Sequence, residues 1–263
     1  MREIGDGNVL LHIDDHRADV VLNRPERRNA MNQALLRDLR TALEEVEARD
    51  DVRAMVLLGE GDVFCAGMDL EMMKRRGADD APDFEIGRDD ITHFIDDMSV
   101  PSVASIKGAA IAGAFELVLP VDFRIISEDA KYGVIEVELG LFPSGGATQR
   151  LPRLVGLSKA KELVLTGEYI DPREANACGL VHEVVSDRSA TDDRAREWAD
   201  SLTENAPLGM KHARKLLNAA LETPLEQGLE REGELGETLT ETDDYTEGFE
   251  AQLEGREPEF TGQ

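Results

Sequence analysis

The sequence has few cysteines, few basic residues and no long apolar run, and each shortage excludes a class of protein. Two cysteines, Cys65 and Cys178, are too few for a disulfide framework. No stretch reaches the ~18 uninterrupted apolar residues of a membrane span, because Lys107 and Glu116 interrupt the longest candidate. The N-terminus, MREIGDGNVL, has neither the apolar core of a signal peptide nor an Arg-rich amphipathic pattern, so we expect a cytoplasmic protein.

The shortage of basic residues is pronounced, with 29 Lys and Arg against 55 Asp and Glu, and it gives a net charge of −26. This balance argues against nucleic acid as a partner, since Lys and Arg side chains must neutralise its phosphates. Only 7 of the 29 basic residues are Lys. An acidic, Lys-poor composition is typical of proteins from a salt-rich cytoplasm, where salt screens the self-repulsion of the surface. An acidic surface in an ordinary cytosol is the alternative.

The order of the predicted elements indicates an α/β fold. Short apolar runs at 9–13 and 20–22 predict strands, apolar residues at helical spacing predict a helix over 35–46, and 54–58 reads as a buried strand. A strand, helix, strand order favours crossover units and a parallel or mixed sheet. Further strand and helix candidates follow at 123–126 and 158–166. From about 187 onward the sequence is acidic and has only helical candidates, so we predict two regions, 1–190 and 191–263.

The stretch from Val103 to Phe123, VASIKGAAIAGAFELVLPVDF, places a small-residue loop between a buried strand and a helix. Gly113 lies at the predicted helix start, where backbone N–H groups lack intrahelical partners and a glycine lets a ligand oxygen approach. Glu116 is three residues further on and therefore lies on the same face. It is either a catalytic carboxylate or a first-turn acid that complements the helix dipole, with an Arg as its partner.

Glu136, in YGVIEVELG, is a second candidate acid. A strand with one polar face would expose Glu136 and Glu138 together, and periodicity alone favours that interpretation. A second carboxylate is also what general acid–base chemistry on a neutral substrate requires.

The remaining candidates are weaker. The five histidines lack metal-ligand spacing, so we expect no metal site. Ser144 is not in a G-x-S-x-G elbow, and Cys65 reads as a small core residue rather than a nucleophile.

The motifs FCAGMDL, VASIKGAAIAGAFEL and YGVIEVELGLFPSGGATQRLPRLVG together resemble the crotonase family of enoyl-CoA hydratases and isomerases. The likeness continues through NRPERRNAMN, LTGEYIDPREANACGLVHEVV and DDYTEGFEAQLEGREPEF, so it spans nearly the whole chain. It implies a crotonase-like spiral of repeated ββα units over 1–190 and a helical C-terminal region over 191–263 used for trimer packing, often with two trimers stacked.

The resemblance implies binding of an acyl-CoA thioester whose enolate oxygen is held by the backbone N–H groups of Met68 and Gly113. Because Glu116 and Glu136 match both glutamates of the hydratases, it implies water addition to a trans-2-enoyl-CoA, a hydro-lyase reaction. Glu116 is then the preferred base and Glu136 the preferred proton donor. A Δ3,Δ2-enoyl-CoA isomerase, another crotonase reaction and a catalytically silent acyl-CoA-binding oligomer are the alternatives.

No cofactor is implied beyond the coenzyme A of the substrate, and we expect the acyl pocket to involve the region 71–98. By the same resemblance, the residues implied in substrate and CoA binding are Arg28, Ala30, Ala66, Gly67, Asp69, Leu70, Arg256 and Phe260. The chain departs from the family pattern at Ile135, Ser144, Ala147 and Gly255. Gly255 replaces a Lys that often lies near the CoA phosphates, and Arg27, Arg28 and Arg256 could supply the lost positive charge.

Overall fold

The computed structural model describes residues 1–75 and 85–263. Within them, nine strands form: Arg2–Ile4 (β1), Val9–Asp14 (β2), Arg17–Leu22 (β3), Ala54–Gly59 (β4), Ser102–Ile106 (β5), Ala109–Ile111 (β6), Phe123–Ser127 (β7), Lys131–Gly133 (β8) and Glu183–Val185 (β9). The α-helices of these residues are Gln33–Glu47 (α1), Leu70–Arg75 (α2), Arg88–Asp97 (α3), Gly113–Val118 (α4), Ala147–Thr166 (α5), Pro172–Ala177 (α6), Thr191–Thr203 (α7), Pro207–Ala219 (α8), Leu225–Leu239 (α9) and Asp243–Glu254 (α10). Short 3₁₀ helices lie at Pro25–Arg27, Glu136–Leu139 and Arg188–Ala190.

A seven-stranded sheet in the order β1-β2-β3-β4-β5-β7-β9 forms the centre of the fold. The first three strands pair antiparallel, and the pairs from β3 to β9 are parallel. β3, β4 and β5 are buried along their whole length, as expected of parallel strands covered on both faces. A second, two-stranded parallel sheet joins β6 to β8. This mixed α/β architecture, in which parallel strands predominate, is the predicted fold class.

Helices cover both faces of the large sheet. α1 buries its apolar stripe, including Leu35, Leu39 and Leu43, in the main core. α7 lies on the opposite face, where the small side chains of Ala195 and Ala199 belong to a second apolar cluster with residues of β4 and β5. The first helix of the predicted C-terminal region therefore packs directly on the sheet.

The predicted strands at 9–13, 20–22, 54–58 and 123–126 and the predicted helix at 35–46 are confirmed. The helix predicted at 158–166 is also confirmed, because Ala147–Thr166 consists of two helical pieces that separate at Gly156, whose φ is 78°, and the second piece covers the predicted range. The strand interpretation of one segment is wrong. The segment around Glu136 is a 3₁₀ turn rather than a strand, so Glu136 is buried while Glu138 is exposed.

The C-terminal helices present an apolar surface. The large exposed apolar side chains on α8 to α10 and the turn after α8 are Leu217, Leu221, Leu225, Leu229, Tyr245, Phe249 and Leu253. Within residues 1–75 and 85–263, no helix combines the length and the apolar character needed to span a bilayer.

Candidate active site

Two backbone segments meet beside the small sheet. Cys65 bridges to Ala110 of β6, and Met68 bridges to Met31. In the second bridge, the N–H groups of Met31 and Asp69 donate, to the carbonyls of Gly67 and Met31 respectively. This pattern turns the N–H of Met68 away from its neighbour strand.

The two predicted oxyanion donors lie next to each other because both segments approach through glycines. Gly67 has φ of 98°, and a Cβ there would lie 2.7 Å from the Ile111 carbonyl oxygen and 3.6 Å from the Gly113 nitrogen. Among the hydrogen bonds of the described residues, neither Met68 N–H nor Gly113 N–H donates to a protein acceptor. The structure therefore brings together two free N–H donors of the kind that bind a developing oxyanion.

Ala112 sets the direction of the helix that carries Gly113. It adopts φ 53° and ψ −121°, a conformation that favours glycine. Its N–H donates to the Gly133 carbonyl at 2.9 Å, and its carbonyl accepts from Glu116 N–H at 3.1 Å. The strained turn starts α4 at Gly113 and places Glu116 one turn further along.

Glu116 is fully buried, and its two carboxylate oxygens have different partners. Oε1 accepts from the N–H groups of Gly145 at 2.7 Å and Ala147 at 3.2 Å. Oε2 has no hydrogen-bond partner among the described residues, but it forms an ion pair with Nη1 of Arg88 at 2.9 Å. Burial raises the pKa of Glu116, and Arg88 and the two N–H donors oppose that shift. The structure confirms the interpretation of Glu116 as a first-turn acid with an Arg partner, and its catalytic role stays a prediction.

Glu136 lies close to Glu116 but has different hydrogen-bonding surroundings. It is 6% exposed, and neither carboxylate oxygen has a hydrogen-bond partner among the described residues. Burial, and after it the charge of Glu116, raise the pKa of Glu136 to about 7. The pKa of both carboxyls is thus raised, but only Glu116 has an ion-paired cation and hydrogen-bond donors that oppose the shift, whereas Glu136 is about half protonated near neutral pH.

Arg88 is a site residue that the sequence did not reveal. It is the first residue of α3, its side chain is 11% exposed, and its Nη2 donates to the hydroxyl of Ser144 at 3.3 Å. A Cβ on Gly113 would lie 3.1 Å from its Nη1, and a Cβ on Gly145 would overlap its Nε. No sequence signal links residue 88 to residue 116, because only the packing of α3 against α4 brings them together.

Asn29 organises the loop that presents Met68, and it was also missed. It is buried with φ of 56°, and its amide Nδ2 donates to the carbonyls of Glu60, Val63 and Phe64 at 2.9 to 3.0 Å. An Asn in an Arg- and Asn-rich loop was the available signal, because Asn tolerates the left-handed conformation. Cys65 below it is fully buried, and burial raises the pKa of its thiol to about 12, which suits a core residue.

The residues implied in substrate and CoA binding occupy different environments. Ala30, Ala66 and Gly67 line the loops of the two donors, and Leu70 and Arg28 are exposed. Asp69 caps α2 by accepting from the N–H groups of Glu71 and Met72.

Of the two C-terminal residues, Arg256 pairs with Glu247 and Glu254, and Phe260 offers its carbonyl to Arg53 at 2.7 Å. Both lie in the C-terminal tail, and Arg256 already has two carboxylate partners. Part of the predicted acyl-pocket region, 76–84, lies outside the described residues.

The departures from the family pattern have visible structural roles. Ala147 keeps the N–H that binds Glu116, so its methyl group removes no donor. Gly255 ends α10 in the left-handed conformation with φ of 70°, a position that favours glycine over the lysine of the pattern. Ile135 precedes the 3₁₀ turn that buries Glu136.

A pair of buried carboxyls beside two free N–H donors defines an acid–base site that can stabilise an oxyanion. Residues 15–263 match the enoyl-CoA hydratase/isomerase family. The chain is 37% identical over 257 residues to a probable mitochondrial enoyl-CoA hydratase of Arabidopsis thaliana, which covers 97% of this chain and 85% of that protein. It is 34% identical to a putative enoyl-CoA hydratase/isomerase of Bacillus subtilis, with 98% and 100% covered.

Among solved structures, an enoyl-CoA hydratase from Bacillus anthracis matches with a TM-score of 0.90 and 33% identity, over 97% of this chain and all of that one. A putative enoyl-CoA hydratase/isomerase from Mycobacterium abscessus matches with a TM-score of 0.91 and 31% identity, over 97% and 100%. The chain therefore belongs to the enoyl-CoA hydratase/isomerase family, the crotonases, whose members act on acyl-CoA thioesters.

Proposed function

We propose that this protein is an enoyl-CoA hydratase, which adds water across the double bond of a trans-2-enoyl-CoA to give a 3-hydroxyacyl-CoA. The observation that carries the proposal is the pair of buried carboxyls, Glu116 and Glu136, beside the free N–H groups of Met68 and Gly113. Hydration needs both features, because water must lose a proton while the substrate gains one at carbon.

The chemistry divides between the two acids. Glu116 takes a proton from the water molecule while the oxygen of that water forms the bond to C3. The electrons of the double bond move onto the thioester oxygen. The N–H groups of Met68 and Gly113 stabilise this enolate, an interaction that contributes about 3 kcal/mol per donor to the transition state. Glu136 then gives its proton to C2 and the carbonyl re-forms. The neighbouring carboxyls must exchange one proton before the next cycle, and their mutual contact permits this.

The direct test is the loss of absorbance of short and long trans-2-enoyl-CoAs on hydration in molar KCl. Glu116→Gln and Glu136→Gln should each lower kcat by about a hundredfold or more, because each removes one proton transfer. Glu138→Gln is the matched control, since its side chain lies on the same 3₁₀ turn but is exposed. No hydration at any chain length would overturn the proposal.

A Δ3,Δ2-enoyl-CoA isomerase is the second candidate, favoured by one observation: Glu136, with its pKa raised to about 7, could move a proton between two carbons by itself. Isomerisation that survives Glu116→Gln but not Glu136→Gln would identify this reaction. Tight acyl-CoA binding without turnover of any enoyl-CoA would instead indicate a silent binding protein.

A homotrimer or a dimer of trimers in the cytoplasm belongs to the same proposal. The large exposed apolar side chains on α8 to α10 support it, because burying them against another copy of the chain would remove apolar area from water. Light scattering coupled to size exclusion in molar KCl would give the subunit number, and a monomer would contradict this part.

A further inference from the structure

Arg88 has a position that the fold of α3 does not require. Acidic side chains are favoured in the first turn of a helix, as Asp89 and Asp90 illustrate, whereas a cation is disfavoured there by the helix dipole. The side chain of Arg88 leaves its own helix and ends 2.9 Å from the Glu116 carboxylate of α4. A cation with only 11% of its side chain exposed at this position calls for another explanation than helix formation.

α3 is held in place by other contacts. At its N-terminal side, Gln33 bonds both the N–H and the carbonyl of Ile86, at 3.3 and 2.9 Å. At its C-terminal end, Arg214 donates to the carbonyls of Ile95, Asp96 and Met98. Since both ends of the helix are fixed independently, docking of α3 does not depend on Arg88.

The guanidinium is fitted to the site by two glycines. It lies against Gly145, whose N–H donates to Glu116 at 2.7 Å, and a Cβ on Gly145 would overlap its Nε. Its Nη1 lies 3.1 Å from the position of a Cβ on Gly113. The cation, the backbone donor and the carboxylate of Glu116 thus form one packed unit beside the oxyanion donors.

The charges around Glu116 make the two acids unequal. Arg88 is the cation that faces Glu116, and the other charged groups nearby are Glu136 and the mostly exposed Asp89, whose carboxylate lies 3.6 Å from Arg88. Both hydrogen-bond donors of the pair bind Oε1 of Glu116, and none among the described residues binds Glu136, although the charge of Arg88 also lowers the pKa of Glu136 to a lesser degree than burial raises it. An opposite charge within about 4 Å favours the ionised form of a carboxyl.

We propose that Arg88 is a positioning residue for hydration, whose guanidinium holds Glu116 in the ionised form that acts as base and so leaves the proton of the pair on Glu136. The proposal rests on the proposed function for its catalytic part. It assigns the base and the acid from their surroundings in this chain, and it makes the assignment depend on a residue outside both glutamate motifs.

The first test is the pH dependence of hydration by Arg88→Met, which removes the charge at similar length. Without the cation the pKa of Glu116 rises, so the acidic limb of the kcat profile should move to higher pH by about one unit or more. We expect kcat at pH 7 to fall by about tenfold while KM changes little. Arg88→Lys should restore the position of the limb, and Arg37→Met, at a half-exposed ion pair, should behave as the wild type.

An unchanged acidic limb in Arg88→Met would overturn the proposal, since a merely structural role would lower kcat at every pH alike. A lower KM with unchanged kcat would also overturn it, because the guanidinium would then only cover Gly113 until the substrate displaces it.

A second test does not use activity. At pH 8, Arg88→Met should lower the melting temperature by leaving a buried charge on Glu116, and Arg88→Met/Glu116→Gln should regain most of that loss. Equal destabilisation of the single and double variants would show that Arg88 does not control this charge. If the wild type hydrates no enoyl-CoA while the stability coupling is present, the proposed function fails but the ionic control of Glu116 stands.

Discussion

Replacing Glu136 by Gln should stabilise the protein, and increasingly so as the pH rises. The native carboxyl has its pKa raised to about 7 by burial and by Glu116, while an exposed Glu in the unfolded chain titrates near 4.3. The wild-type protein therefore loses stability between these two values, because folding must bury a group that water would ionise. Gln cannot ionise, so the variant lacks this loss.

The size of the effect follows from proton linkage. With pKa values of about 7 folded and about 4.3 unfolded, the wild type should lose about 2 kcal/mol relative to Glu136→Gln between pH 5.5 and 8.5. For a chain of 263 residues, that difference corresponds to a relative shift of about 3 to 4 °C in melting temperature.

The assay is thermal unfolding of both proteins at fixed KCl across that pH range. Glu138→Gln is the control, because its exposed side chain is not desolvated on folding. Melting curves of wild type and Glu136→Gln that shift in parallel with pH would refute the reasoning, because they would show that folding does not perturb this carboxyl.

Three further predictions follow from the site and the surface. Gly113→Ala should lower kcat by about a hundredfold or more, because the new Cβ would crowd Met68 and Arg88 where the thioester oxygen must approach. The circular dichroism spectrum should be unchanged, and a kcat within threefold of the wild-type value would contradict the prediction. Ala112→Gly should raise the free energy of unfolding by about 1 kcal/mol, since the strained turn costs about 1 to 3 kcal/mol and glycine entropy offsets part of the gain; a destabilised variant would contradict it. The melting temperature should rise from dilute buffer to molar KCl, because a Debye length of about 3 Å screens the repulsion among the acidic side chains that give the net charge of −26. Equal melting temperatures in the two solutions would refute the salt-adapted interpretation.

The sequence by itself determined most elements of the fold and predicted most residues of the candidate site. Apolar periodicity predicted α1 and the strands around it, because a buried stripe must repeat with the geometry of its element. The glycine at a helix start before Glu116 indicated one donor, Gly113, because a glycine lets a ligand oxygen approach the backbone N–H. The other donor, Met68, was implied by the resemblance of its motif to the crotonase family, and the structure places it close to Gly113.

Tertiary structure alone decided how the two acids differ. The periodicity of the sequence predicted that Glu136 and Glu138 are both exposed. The chain instead forms a 3₁₀ helix there, in which residues two apart point in different directions, so Glu136 is buried and Glu138 is not. The ionic partner of Glu116 is Arg88, on another helix and 28 positions earlier, and no local pattern encodes that meeting. Sequence spacing fixes which residues share an element, whereas the pKa of a buried carboxyl depends on charges that packing brings from elsewhere in the chain.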